Sequence, residues 1–140
     1  MAASFRVLAL LVALPLVLGA CGQAAKDSAS DFQGDQKVVA QTVEDLQSAG
    51  RKNDSAKICS TLLSSVLVTQ IEKASGEDCE KGVKDAISDA DSFELQVEKV
   101  TISKDVAMVV VKSEGGDKDR VDTWELLKEN GAWKVATLGA

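Results

Sequence analysis

Three cysteines, Cys21, Cys59 and Cys79, are the most reactive side chains in a sequence that has no histidine and no tyrosine. A histidine-based triad, a histidine-ligated metal and a tyrosine donor to an oxyanion are excluded by residue type alone. Carboxylates are plentiful, with 22 Asp and Glu against 16 Lys and Arg. A carboxylate can serve as a base where burial or a charged neighbour shifts its pKa. Here Glu94, Glu98, Asp122 and Glu125 fall mostly on the polar faces of predicted strands, without an evident partner. Asp85, Asp89 and Asp91 lack the glycine and the fixed oxygen ligands of a calcium loop and read as a solvated helix end. Gly115-Gly116 lacks the lysine and helix start of a phosphate loop and reads as a turn. The residues thus predict no catalysis, no metal and no cofactor. The negative charge repels phosphates, which weighs against a nucleic-acid partner.

The role of the cysteines depends on the N-terminus. Arg6 and the initiator amine give a positive start, and Val7 to Leu18 is apolar apart from Pro15. That run is well short of the ~20 residues needed to span a bilayer and reads as an export signal. Leu18-Gly19-Ala20-Cys21 resembles the bacterial lipobox, where small residues before the cysteine admit the peptidase. The resemblance implies that residues 1–20 are a lipoprotein signal peptide and that Cys21 is lipidated and becomes the N-terminus. The chain would then sit on the extracytoplasmic face of the cell membrane, held by acyl chains at ~0.8 kcal/mol per buried methylene. Processing removes Arg6 and no acidic residue, leaving a formal charge of −7. Residues 21–34, the lipidated cysteine and the polar stretch GQAAKDSASDFQG, read as a flexible tether with a mean reach of about 20 Å. Residues 35–140 read as one exported domain.

With Cys21 taken by lipid, Cys59 and Cys79 remain in an oxidising compartment with one possible pairing. A redox couple would favour Cys-x-x-Cys, and two thiols without histidine make a poor zinc site. A structural disulfide is expected, and closing a loop of about twenty residues contributes ~3 kcal/mol.

The elements that position these residues change character midway. Val38, Val39, Thr42, Val43 and Leu46 recur at helical spacing, predicting a helix from Gly34 or Asp35 to about Ala49 with Gly50 as a left-handed stop. Asn53 or Asp54 caps a second helix that turns Ala56, Cys59, Leu62 and Leu63 inward. Ser64 to Lys73 is apolar but β-branched and is compatible with a helix, a kink or a short strand. Gly76 breaks the chain again, and Cys79 to Asp89 forms a helix burying Val83 and Ala86 or Ile87. From Phe93 the period becomes two. Phe93, Leu95 and Val97 share a face, while Val100 and Ile102 have the opposite parity, which predicts a bulge near Glu98-Lys99. Val106 to Val111 is apolar on both faces, as in a central strand. Asn130-Gly131 between alternating runs predicts a two-residue hairpin. That register pairs Lys128 with Trp133, Leu126 with Val135 and Trp124 with Thr137, and leaves Ala136 on the outer face.

Helices followed by a bent antiparallel sheet resemble the nuclear-transport-factor-2-like superfamily, the cone-shaped fold shared with ketosteroid isomerases. The resemblance rests on element order from Asp35 to Ala140, on the ending TWELLKENGAWKV (Thr123 to Val135) and on KNDSAKICSTLL (Lys52 to Leu63). It implies an α+β fold with N-terminal helices packed on a strongly bent antiparallel sheet of about four strands. The early hairpin usual in that superfamily is missing or reduced to Ser64–Lys73.

The function expected from these features is a non-catalytic binding module on a membrane anchor. Its ligand would be a small apolar molecule or a lipid, in a cone lined by Phe93, Val97, Trp124, Leu126 and Val135. The alternative is an interaction module that uses the outer sheet face, with its two-faced strand Val106 to Val111, for a homodimer or an envelope protein.

Overall fold

The computed structural model describes residues 27–88, 94–114 and 118–139. Cys21 with its lipobox, Phe93, Asp89, Asp91 and Gly115-Gly116 lie outside the described residues. No helix among the described residues is long and apolar enough to cross a membrane.

Among the described residues, packing already includes Ser28 and Ala29, ahead of the boundary expected at residue 35. Ser28 and Ala29 are buried at a short 3-10 turn, Ala29–Asp31. The Glu44 carboxylate accepts from the Ser28 hydroxyl at 3.3 Å and from the Ala29 N–H at 2.7 Å. Small residues carry little hydropathic signal, yet they fit closely beneath a helix. Ser28 and Ala29, within the stretch expected as tether, are thus packed against the helix that carries Glu44.

That helix, α1 (Gly34–Arg51), buries Val39, Ala40, Val43, Leu46 and Ala49. Val38, read as part of the inward stripe, is about half exposed. The helix runs past Gly50, and the left-handed position belongs to Asn53 (φ 54°). Asparagine tolerates this conformation, so glycine is not required there. Asp54 accepts from the Lys57 N–H at 3.0 Å and starts a short α2 (Ser55–Lys57), which passes into a π turn over Ile58–Leu62. Ile58 is buried and Ala56, expected inside, is exposed, so the inward face begins at Ile58 and continues at Leu62 and Leu63. The ambiguous Ser64–Lys73 segment is helical. In α3 (Ser65–Ser75) the Ser64 hydroxyl caps the Leu67 N–H at 3.2 Å, and Gly76 closes the helix at φ 71°. The cap residue is itself held in place, because its N–H donates to the Val135 carbonyl at 2.8 Å. Helix α4 (Cys79–Ser88) follows, with Val83 buried, Ile87 half-buried and Ala86 exposed.

Strands β1 (Glu94–Ser103), β2 (Val106–Glu114), β3 (Arg120–Glu129) and β4 (Ala132–Thr137) form one antiparallel sheet in sequence order. This is the expected α+β arrangement, with β2 and β3 central. The β1–β2 register shifts between Val97 and Lys99, which leaves Glu98 as the bulged residue and returns Val100 to the inner face. Asn130 and Gly131 both have positive φ, 52° and 82°, as a tight hairpin turn with the strands' own twist requires. Lys128–Trp133 and Leu126–Val135 pair as read from sequence. Thr137 instead faces Glu125, not Trp124, because a second shift falls at Glu125/Leu126. The extra residue is Ala136, which is buried rather than exposed on the outer face. A bulge bends its strand, so these two curve the sheet around the helices.

The core lies between sheet and helices, with Leu126, Val109, Val111 and Val135 packed with Val39 and Val43 in one apolar cluster. The open edge of β1 is covered by polar side chains. Gln47 accepts from the Leu95 N–H, Ser28 accepts from the Val97 N–H at 3.0 Å, and Gln36 donates to the Val100 carbonyl at 2.9 Å. An edge strand covered in this way offers little template for pairing with another chain. On the far edge, Leu63 bridges Val135 in parallel fashion, a single bridge in place of a hairpin.

Candidate functional site

The helices do not fill the hollow of the sheet at the end where β2 and β3 run past α4. A cavity of about 380 Å³ remains there, at the small end of the ~300–1,000 Å³ typical of small-molecule sites. Leu95 and Trp124 reach it from the sheet, Ile71 from α3, and Val83, Ala86 and Ile87 from α4. Ile58 and Leu63 close the deep end. Gly82 lets α3 and α4 approach, since a Cβ there would lie 3.0 Å from Ile71 Cγ2 and 3.1 Å from Ser75 Oγ.

The polar groups of the cavity are Glu94, Ser113, Arg120 and Asp122. Asp122 pairs with Val111 and lies two residues before Trp124, so it shares the inner face. This corrects the placement of Asp122 among polar-face carboxylates. Its parity with Trp124 and Leu126 was the available signal. Arg120 Nη2 stands 3.4 Å from each Asp122 carboxylate oxygen, with the arginine side chain 75% exposed and the aspartate 21%. Glu94 is held by Arg51 at 2.7 Å. The residues that follow β4 lie against this mouth. Leu138 lines the cavity, and Gly139 (φ 112°) sits so close to Asp122 that a Cβ would lie 3.1 Å from the aspartate Cβ.

Of the residues expected to line a cone, Trp124 borders the cavity, while Val97, Leu126 and Val135 are buried in the core and do not border it. Sequence reasoning missed Ile58, Ile71, Gly82, Ala86 and Ile87, which face the cavity from the helices. A 3.6-residue period marks an inward stripe, but it does not distinguish a residue meeting the sheet from one meeting a void.

The helical wall is cross-linked by a disulfide between Cys59 and Cys79, with Cα atoms 6.1 Å apart. It joins the π turn that carries Ile58 to the first turn of α4, one turn before Val83. A second, larger hollow of about 640 Å³ lies along α1, between Asp27 and Lys52. Its walls are Gln41, Glu44, Asp45, Gln47, Ser48 and Arg51, with no hydrophobic residue among them. Among the described residues no cluster of three or more His, Cys, Asp or Glu is placed to hold a metal.

Residues 77–138, covering α4 and the whole sheet, match the model of a family described as "Putative lumazine-binding". That family lies in the nuclear-transport-factor-2-like superfamily. The match spans less than half of the 140 residues, but it includes every cavity residue from Gly82 to Leu138. No curated protein matches the chain.

Proposed function

We propose that this chain is a non-catalytic, membrane-anchored binding module that holds one small molecule between α3, α4 and the sheet. The cavity carries the reading: an apolar pocket of about 380 Å³ with a short polar edge, lying largely within the segment similar to a lumazine-binding family. The polar edge modifies the expectation of a purely apolar ligand or lipid. A molecule filling this space needs an apolar or aromatic body and at least one group that can meet Asp122 or Ser113. The absence of histidine and tyrosine from the sequence supports a binding role over a catalytic one. The anchor is supported by the lipobox at Leu18 to Cys21, and the acidic balance leaves acyl chains as the means of attachment.

Native mass spectrometry of the chain recovered from a bacterial membrane tests both halves. The expected result is an acylated species starting at Cys21, with a bound molecule that is released on unfolding. An unacylated soluble product removes the anchor. Failure to retain any molecule, together with failure to bind a neutral apolar dye such as Nile red, removes the binding role.

A second reading, an interaction surface, has one observation in its favour. The outer sheet face exposes Met108 and Val121, with Val106, Val110 and Leu127 half-buried around them. Sedimentation of the exported chain as a strict monomer would count against a homodimer formed through that face.

A further inference from the structure

The proposed site contains one carboxylate that packing and register commit to the inside. Asp122 is next to Val111 across the ladder, shares a face with Trp124, and is covered by Gly139 from the C-terminal side. Resting on the binding role above, we infer that Asp122 selects a heteroaromatic ligand presenting two adjacent N–H donors, a cyclic amidine of the 2-amino-4-oxopteridine type. A cyclic imide such as lumazine itself is selected against.

The argument concerns donor patterns. A carboxylate accepts hydrogen bonds only, and it is best satisfied by two parallel donors. A 2-amino-4-oxopteridine offers a ring N–H beside an exocyclic amino group, which matches both oxygens. In lumazine a carbonyl replaces the amino group. The imide N–H is then flanked by two oxygens, so a carboxylate gains one hydrogen bond and faces lone pairs on either side. That repulsion is costly beside Asp122, where the neighbouring Glu94 adds further negative charge and the Arg120 donors are already turned to the carboxylate.

The remaining geometry fits such a ligand. Residues two apart on a strand are about 7 Å apart, roughly the length of a fused two-ring heterocycle. A ring system whose donor edge meets Asp122 therefore reaches the Trp124 indole, with Ile71 and Ile87 across from the sheet. Arg120 does not block this arrangement. Its side chain is 75% exposed and its contacts with Asp122 are long, at 3.4 Å, so it can yield one face of the carboxylate to a ligand at little cost. Ser113, paired with Arg120 on the same inner face, supplies a hydroxyl that can both donate and accept.

Isothermal titration of the exported chain, in phosphatidylcholine nanodiscs with empty discs as the blank, tests this with 2-amino-4-oxopteridine and lumazine. The aminopteridine is expected to bind at least tenfold more tightly than lumazine. Asp122→Asn, which keeps the shape but places a donor against the amino group, is expected to lower aminopteridine affinity tenfold or more and to change lumazine affinity less than threefold. Circular dichroism and Nile red binding identify any variant that has lost its fold, and the comparison of ligands on the unsubstituted chain stands without the variant. Equal or tighter binding of lumazine overturns the selection by Asp122 while leaving the binding role intact. So does an equal loss of both ligands in Asp122→Asn. If neither pteridine nor Nile red binds the unsubstituted chain, both readings fall together.

Discussion

Reduction of the Cys59–Cys79 disulfide is expected to destabilise the domain and to loosen the wall of its cavity in the same step. The bridged residues are 20 positions apart. For a loop of that length the chain-entropy relation gives about 11 cal/mol/K of unfolded-state entropy removed, or about 3.3 kcal/mol at 25 °C. Domains of this size are stable by roughly 5–15 kcal/mol in total, so the cross-link supplies a substantial share. At roughly 4–8 °C per kcal/mol for a small domain, reduction should lower the thermal midpoint by roughly 13–26 °C. Reduction is a cleaner perturbation than substitution. Both thiols keep their volume, so buried Cys79 leaves no cavity and the loss reports the cross-link alone. The assay is thermal unfolding followed by circular dichroism on oxidised and reduced samples of one preparation, with thiol state verified by intact mass. Nile red titration on the same samples should show weaker binding after reduction, because the bridge ties the turn carrying Ile58 to the helix carrying Val83. A midpoint that falls by less than about 3 °C would refute the entropic account. An unchanged dye affinity in a folded reduced sample would refute the coupling of bridge to cavity.

Leu126→Ala, at a fully buried position in the middle of the sheet, should cost about 3–5 kcal/mol in urea denaturation with little change in m-value. Gln47→Met keeps the bulk of the side chain but leaves the Leu95 N–H without its acceptor. Its expected cost is about 1–3 kcal/mol, together with faster hydrogen exchange at Leu95 than at the β2-paired amides of the same strand. Gly131→Val forces a β-branched residue to φ near 82° and should cost more than about 1 kcal/mol. Asn130→Gly, at the preceding turn position, should be close to neutral in the same denaturation measurement.

The elements were legible in sequence wherever one physical signal dominated. The period-two run after Phe93, the parity jump at Glu98 and the Asn130-Gly131 turn each have one local cause, and the sheet follows them. The helical half was harder because its boundaries are set by tertiary contacts. Ser64 caps α3 while its own N–H is held by Val135, a residue 71 positions away. Apolar, β-branched residues such as Val66, Val68 and Ile71 fit either a strand or a helix until that contact is made. Ser28 and Ala29 likewise resemble a tether in sequence because small residues carry little hydropathic signal. Their burial depends on Glu44, a polar partner on the opposite side of the contact.

The site itself was only half legible, for a reason that bears on its chemistry. Choosing cavity residues by hydrophobicity selects the core, and Val97, Leu126 and Val135 are core because they pack too well to leave space. A cavity persists where packing partners are withheld. Here the withheld volume is at Ala86 and Ser113, small residues set against Ile71, Ile87 and Trp124. In the same place the inward stripe of β3 continues from Leu126 and Trp124 to a charged residue, Asp122. An inward carboxylate is costly to desolvate. A sequence selected only for stability would continue the apolar alternation at that position, as Trp124 and Leu126 do. Missing volume and an inward charge therefore occur together at one end of the sheet, and a ligand that fills the one and hydrogen-bonds the other accounts for both.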